Sequence, residues 1–257
     1  MENLSCKLKL ENLSKLIMEA GKIMLESGGE VSRVEETMKI MARSYGASAN
    51  IYILTNGLFL TLDCEGMISS YVMEIPIAAM NLGRVVKVNN LSREIQEGKY
   101  TIEEAFVKLK EIKDLPLYDK RIRIFFAGLA GCSFSYLFGG RSYDLVAAFI
   151  ASSLLFMYSL FASSKRFPKY LQIVIGSGFG TLISQILFSL GLGVSLNHII
   201  IGAIITMVPG VTLTISIREF IFEDYLSGTI HLVDALLTSM CMAVGVITMF
   251  EINGLIF

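Results

Sequence analysis

From Val194 to Ile217 the sequence runs for 24 residues with one ionisable side chain, His198. As a helix that run is long enough to cross the roughly 30 Å of hydrocarbon in a bilayer. Its middle reads Val208-Pro209-Gly210. Proline removes a backbone donor and its ring clashes with the preceding turn, so the carbonyls near Ile205 and Thr206 lose regular partners, while Gly210 lets the chain bend. Freed backbone groups cannot face lipid, and Thr206, Thr212, Thr214 and Ser216 are placed to help satisfy them. A helix broken near the midplane is also how many transporters build a binding site. The plainer alternative is an ordinary proline kink.

Charge separates this stretch from the start of the chain. Residues 1 to 123 hold 34 of the 45 Asp, Glu, Lys and Arg side chains, and residues 124 to 257 hold the other 11. That split predicts an α/β domain over 1–118 followed by a transmembrane domain over 119–257. The first part is balanced, with 17 basic and 17 acidic residues, which argues against nucleic acid as a partner. Its opening, Met-Glu-Asn-Leu-Ser-Cys-Lys, has no apolar core of the kind a secretory signal needs, so the domain is expected to stay in the cytoplasm. Cys6, Cys64, Cys132 and Cys241 share no short spacing and pair with no nearby histidine, so no metal or cofactor is expected.

In the first part, apolar periodicity predicts helices over 10–27 and 31–45, with Gly28-Gly29 between them. Alternation then predicts a hairpin around Asn56-Gly57 and a third strand over 67–75, after the Glu65-Gly66 turn. Two more helices follow Pro76, at about 78–96 and 102–112, the second opening with the capping box Thr101-Ile-Glu-Glu104. The order is ααβββαα. No Walker or dinucleotide loop occurs in it. Its charged constellation is Glu30, Arg33, Glu35 and Glu36 on the second helix, which is either a ligand or contact site or a solvated face.

Five transmembrane helices are expected in the second part, at about 122–140, 145–162, 170–190, 194–217 and 229–250. Lys113, Lys120, Arg121, Arg123, Lys165, Arg166, Lys169 and Arg218 fall on one side, whereas the opposite loops carry Arg141, balanced by Asp144. The positive-inside rule then puts the amino terminus inside and the carboxyl terminus outside. With an odd number of spans, a related unit joined at that terminus would run in the opposite sense, as in inverted-repeat transporters.

Polar residues at depth are the functional candidates. Asp234 lies roughly 7 Å into the last span, with His231 one turn earlier on the same side, a pair suited to proton or substrate coupling. Gln185 is deep in the third span, where an interhelical hydrogen bond is the alternative to a place on the substrate path beside Thr206, Pro209, Gly210 and Thr212. Asn197 and His198 are expected at an exposed loop end.

The segment Ser27-Gly-Gly-Glu-Val-Ser-Arg-Val-Glu-Glu-Thr-Met38 resembles the S-G-A-E-x-x-R-V-E-D-T-M motif of the threonine/serine exporter family. Val88-Asn-Asn-Leu-Ser-Arg93 with Thr101-Ile-Glu-Glu-Ala105, and Val208-Pro-Gly210 with the loop to Gly228, resemble its further signatures. The five-span length is similar to the family's two-component, YjjP-like subunit. The resemblance implies ion-driven export of a small polar metabolite, either threonine or serine or a small organic acid such as succinate. It implies a multi-pass protein of the cell membrane, partnered by a smaller membrane subunit or by copies of itself, and not an enzyme. The alternative is a membrane-anchored sensor or scaffold whose first domain binds a metabolite without transport. A membrane hydrolase is disfavoured, because no nucleophile elbow or metal spacing is present.

Overall fold

The computed structural model describes residues 2–54, 57–64, 66–75, 81–116, 118–164 and 167–256. Asn56, Glu65, Pro76, the expected helix start at Ala78, and Lys165 and Arg166 lie outside the described residues. The chain divides into two compact units, residues 1–117 and 118–257.

The first unit runs α1 (Glu2–Glu26), α2 (Val31–Ser44), β1 (Ser48–Leu54), β2 (Gly57–Cys64), β3 (Met67–Glu74), α3 (Leu82–Gln96) and α4 (Ile102–Lys113). The strands form an antiparallel meander in the order β1-β2-β3, with Ile51 opposite Leu60 and Thr61 opposite Ser70. Leu58, Leu60, Leu62 and Cys64 of β2 are buried on one face, as a period of two requires. That face meets Leu13, Leu16, Ile17, Ala20 and Met24 of α1, which begins eight residues earlier than its periodicity indicated. Gly21 makes this packing possible, because a Cβ there would stand 2.5 Å from the Met38 sulfur and 2.9 Å from Leu58. Gly28, at φ +83°, then reverses the chain and lets the Gly29 amide close on the Met24 carbonyl at 2.8 Å. At the head of α4 the capping box forms: the Thr101 amide donates to Glu104 Oε2 at 2.8 Å and the Glu104 amide to Thr101 Oγ1 at 3.3 Å. These bonds hold the Glu104 carboxyl below the usual carboxylate range.

The second unit is helical: α5 (Lys120–Leu137), α6 (Ser142–Ser164), α7 (Lys169–Ser189), α8 (Leu196–Ile204), a single 3₁₀ turn (Ile205–Met207), α9 (Gly210–Ile221) and α10 (Tyr225–Ile256). By length and composition, α6, α7 and α10 can each cross a membrane, and α8 with α9 makes a fourth crossing if the bent pair is one span. The expectation of five spans is therefore met only in part. In α5, 18 residues begin with Lys120, Arg121 and Arg123, so the apolar remainder is short.

Small residues set how closely these helices approach. A Cβ at Gly131 of α5 would lie 2.5 Å from Ser152 Cβ on α6 and 2.7 Å from the Gly202 carbonyl oxygen on α8. The α5–α6 contact is further tied by Ser152 Oγ, which donates to the Ala127 carbonyl at 2.8 Å. Gly178 and Gly245 bring α7 against α10, the Gly245 carbonyl oxygen standing 3.3 Å from where a Gly178 Cβ would sit.

Candidate functional site

The long apolar run breaks where proline predicts it. α8 tightens into the 3₁₀ turn, the Val208 amide donates to the Ile205 carbonyl at 3.2 Å, and α9 leaves at 60° to the first half. Val208 is extended (φ −62°, ψ 127°), as the residue before proline should be. Pro209 occupies the N-cap of α9 without a side-chain cap, so the first-turn amides of that helix have no hydroxyl or carboxylate of the cap to serve them. Thr206 and Gly210 are exposed, and Pro209 and Thr212 are half-buried. The hydroxyls that take up backbone carbonyls are Thr214, donating to Gly210 at 2.9 Å, and Ser216, donating to Gly228 at 2.8 Å. Among the described residues Thr206 and Thr212 make no side-chain hydrogen bond, and the carbonyls taken up by Thr214 and Ser216 are those of Gly210 and Gly228 and not those of Ile205 and Thr206.

The titratable residues of the last span do not pair with one another. Asp234 accepts two hydrogen bonds from Lys169 Nζ at the start of α7, at 2.5 and 2.6 Å, and one from the Tyr170 hydroxyl at 3.1 Å. His231 turns instead to α9, its Nε2 3.6 Å from Glu219 Oε1. Asp234 and His231 thus make their direct contacts with different helices, one across α7–α10 and the other across α9–α10. Glu219 was not a candidate from the sequence, although a signal was present. The chain folds back on itself between Ile221 and Tyr225, which lays α10 against α9 and brings Glu219, two residues before that turn, near His231, six residues after it.

At the opposite end of the bundle, fully buried Asp144 accepts from the amides of Arg141 at 2.9 Å, Val194 at 2.6 Å and Ser195 at 2.9 Å. It caps the first turn of α6 and anchors the α7–α8 connection in one step. Asn197 is exposed as expected, but His198 is half-buried, with Nδ1 enclosed and unpartnered among the described residues. Gln185 is buried in α7, and neither its Nε2 nor its Oε1 has a partner among the described residues. The interhelical hydrogen bond expected as its alternative role is therefore not made among the described residues.

In the first unit, Arg33 and Glu36 are exposed on α2, and Glu35 pairs with Lys39 one turn on. Glu30 is the N-cap residue of the same helix, half-buried. A groove of about 690 Å³ opens elsewhere, between α1, β3 and α4, lined by Glu19, Met73, Phe106, Leu109 and Lys113 among others. It includes none of those four residues. Among the described residues no group of His, Cys, Asp and Glu is arranged to hold a metal ion.

A helical bundle with three or four helices long and apolar enough to cross a membrane, one of them bent at Pro209, has the architecture of a multi-pass membrane protein. Residues 15–253 match the family model described as "Putative threonine/serine exporter", and the chain belongs to the threonine/serine exporter family. It is 24% identical over 248 residues to a protein of Corynebacterium glutamicum named "Threonine/serine exporter", covering 93% of this chain and 50% of that one. It is 21% identical over 240 residues to a "Probable threonine/serine exporter" of Mycobacterium tuberculosis (strain ATCC 25618 / H37Rv), covering 90% of this chain and 44% of the relative. The chain therefore spans about half the length of the curated relatives it matches. No solved structure matches it.

Proposed function

We propose that this chain is a subunit of a secondary exporter of small polar metabolites, threonine and serine or small organic acids such as succinate, driven by an ion gradient across the cell membrane. The observation that carries the reading is the 60° break in an apolar helix, in a chain of the exporter family. At the break the Gly210 amide is taken by the Val208 carbonyl at 2.8 Å, the next amides of α9, Val211 and Thr212, suit a substrate carboxylate, and the exposed hydroxyl of Thr206 with that of Thr212 suits a substrate hydroxyl. Gln185, buried with both polar atoms free among the described residues, extends this path into the bundle.

Asp234 serves the substrate amine in this reading. The ammonium of Lys169 stands where that amine would bind, so substrate entry competes with the ion pair. The amino-terminal unit lies in the cytoplasm, with the amino terminus inside and the carboxyl terminus outside, an orientation that takes α5 as a fifth crossing beside α6, α7, the α8–α9 pair and α10. The basic residues Lys169 and Arg218, at the same end of the bundle, support that orientation. Glu30, Arg33, Glu35 and Glu36 form the contact or ligand surface of that unit. A second membrane subunit, or further copies of this chain, completes the exporter in this reading.

Counterflow of labelled threonine, serine and succinate in proteoliposomes tests the reading, with this chain alone and with a second, smaller membrane subunit. Flux in either case supports it, and the case that gives flux identifies the functional assembly. Absence of flux in both, with metabolite binding to the purified protein retained, would favour the sensor instead.

A further inference from the structure

Glu219 stands in the last turn of α9 with its side chain 12% exposed. One oxygen faces His231 Nε2 at 3.6 Å, and the other, Oε2, is enclosed without a hydrogen-bond partner among the described residues. An acidic group left bare in this way is poorly suited to a purely structural role, because buried carboxylates that only hold a fold together have their oxygens satisfied. The surroundings tie the pair to the broken helix. Ser216 donates to the Gly228 carbonyl, the Asp224 amide donates to the Glu219 carbonyl at 2.9 Å, and the Phe220 ring lies against Gly228. Whatever alters the charge of Glu219 acts on the joint through which α10 holds α9, the downstream half of the break.

We propose that Glu219 and His231 form the proton-binding site through which an ion gradient drives the movement of substrate; this rests on the exporter reading above. The pair carries a net charge of −1 with no bound proton, 0 with one and +1 with two. Binding the first proton therefore removes a net charge from a nearly enclosed site. A proton fits better than a hard metal cation. Such an ion needs several oxygen ligands, whereas the neighbour here is an imidazole, the side chain suited to proton exchange. The charged groups acting on the pair are Asp224 in the turn, Asp234 on α10 and Lys169 on α7. Arg218, next in the chain, lays its guanidinium over the Phe222 ring 5.6 Å from the centroid. Asp234 and Lys169 largely cancel, which leaves the pair and Asp224 to respond to pH.

The test uses the assembly that supports counterflow. In the wild type a pH gradient should drive net flux of substrate. Glu219→Gln should keep exchange of labelled for unlabelled substrate, which needs no proton step, while flux driven by the pH gradient falls to background; Glu219→Asp should restore part of it. Gradient-driven flux in Glu219→Gln with the wild-type pH profile would overturn the proposal. If the wild type moves no substrate in any assembly, the exporter reading fails separately, and infrared difference spectra between acid and alkaline pH still decide the proton site. A titrating carboxyl band that persists in Glu223→Gln and disappears in Glu219→Gln supports it. The same band intact in Glu219→Gln overturns it.

Discussion

Asp144 and Glu219 are both acidic side chains drawn into the helical unit at its opposite ends, and their surroundings differ in one respect. Three backbone amides, at 2.6 to 2.9 Å, converge on Asp144, and two of them come from the connection to α8, fifty residues away in sequence. Glu219 has an imidazole at 3.6 Å on one oxygen and, among the described residues, no partner on the other. A carboxylate whose acceptor sites are filled by fixed amides is held in one state and acts as an anchor. One with an oxygen free can change its proton count without dismantling the fold around it. Burial alone does not distinguish these roles; hydrogen-bond satisfaction does.

The two carboxylates should differ most in what they contribute to stability. Asp144→Ala leaves three inward-facing amides without an acceptor, and thermal unfolding in detergent should show a loss on the order of 3 kcal/mol. A loss no larger than that of Glu219→Gln would show that the two carboxylates do not differ as described. The next effect belongs to the Asp234–Lys169 pair. With the side chains 28% and 50% exposed, the pair should contribute less than about 1 kcal/mol to stability. A double-mutant cycle of Asp234→Asn and Lys169→Met should give a coupling of that size, while Asp234→Asn weakens counterflow of amino acids far more than that of succinate. The smallest effect is at Glu223, the one non-glycine residue at positive φ among those described (64°), in the turn between α9 and α10. Glu223→Gly relieves the left-handed backbone and should stabilise the protein by about 0.5–1 kcal/mol. Lower stability would show that the turn depends on the Glu223 side chain and not on backbone shape alone.

Features that rest on local chemistry were legible in the sequence. The capping box at Thr101 and Glu104, the glycine reversal after α1 and the proline break at 209 are each written in a few adjacent residues, and each forms. Residues brought together by packing were harder to read. His231 and Asp234 share a side of α10, but their partners come from different helices, Glu219 on α9 and Lys169 on α7. Helical spacing describes one helix and says nothing about which neighbour covers it. The importance of Asp144 was hidden for the same reason, since two of its three donors come from another connection. His198 looked like an exposed loop residue because it opens an apolar run, yet the close approach of Gly139, whose Cβ would lie 3.7 Å from Nε2, half-buries it.

If substrate passes the break at Pro209, as proposed, Thr206 faces a watered path that the substrate occupies. Cysteine accessibility tests this most directly. With Cys6, Cys64, Cys132 and Cys241 replaced, Thr206→Cys should react with a charged, membrane-impermeant thiol reagent in proteoliposomes, and threonine or serine should slow the reaction. Met240→Cys, on the exposed face of α10, should stay unlabelled. Failure of Thr206→Cys to react, or reaction at a rate unaffected by substrate, would contradict a substrate path at the break.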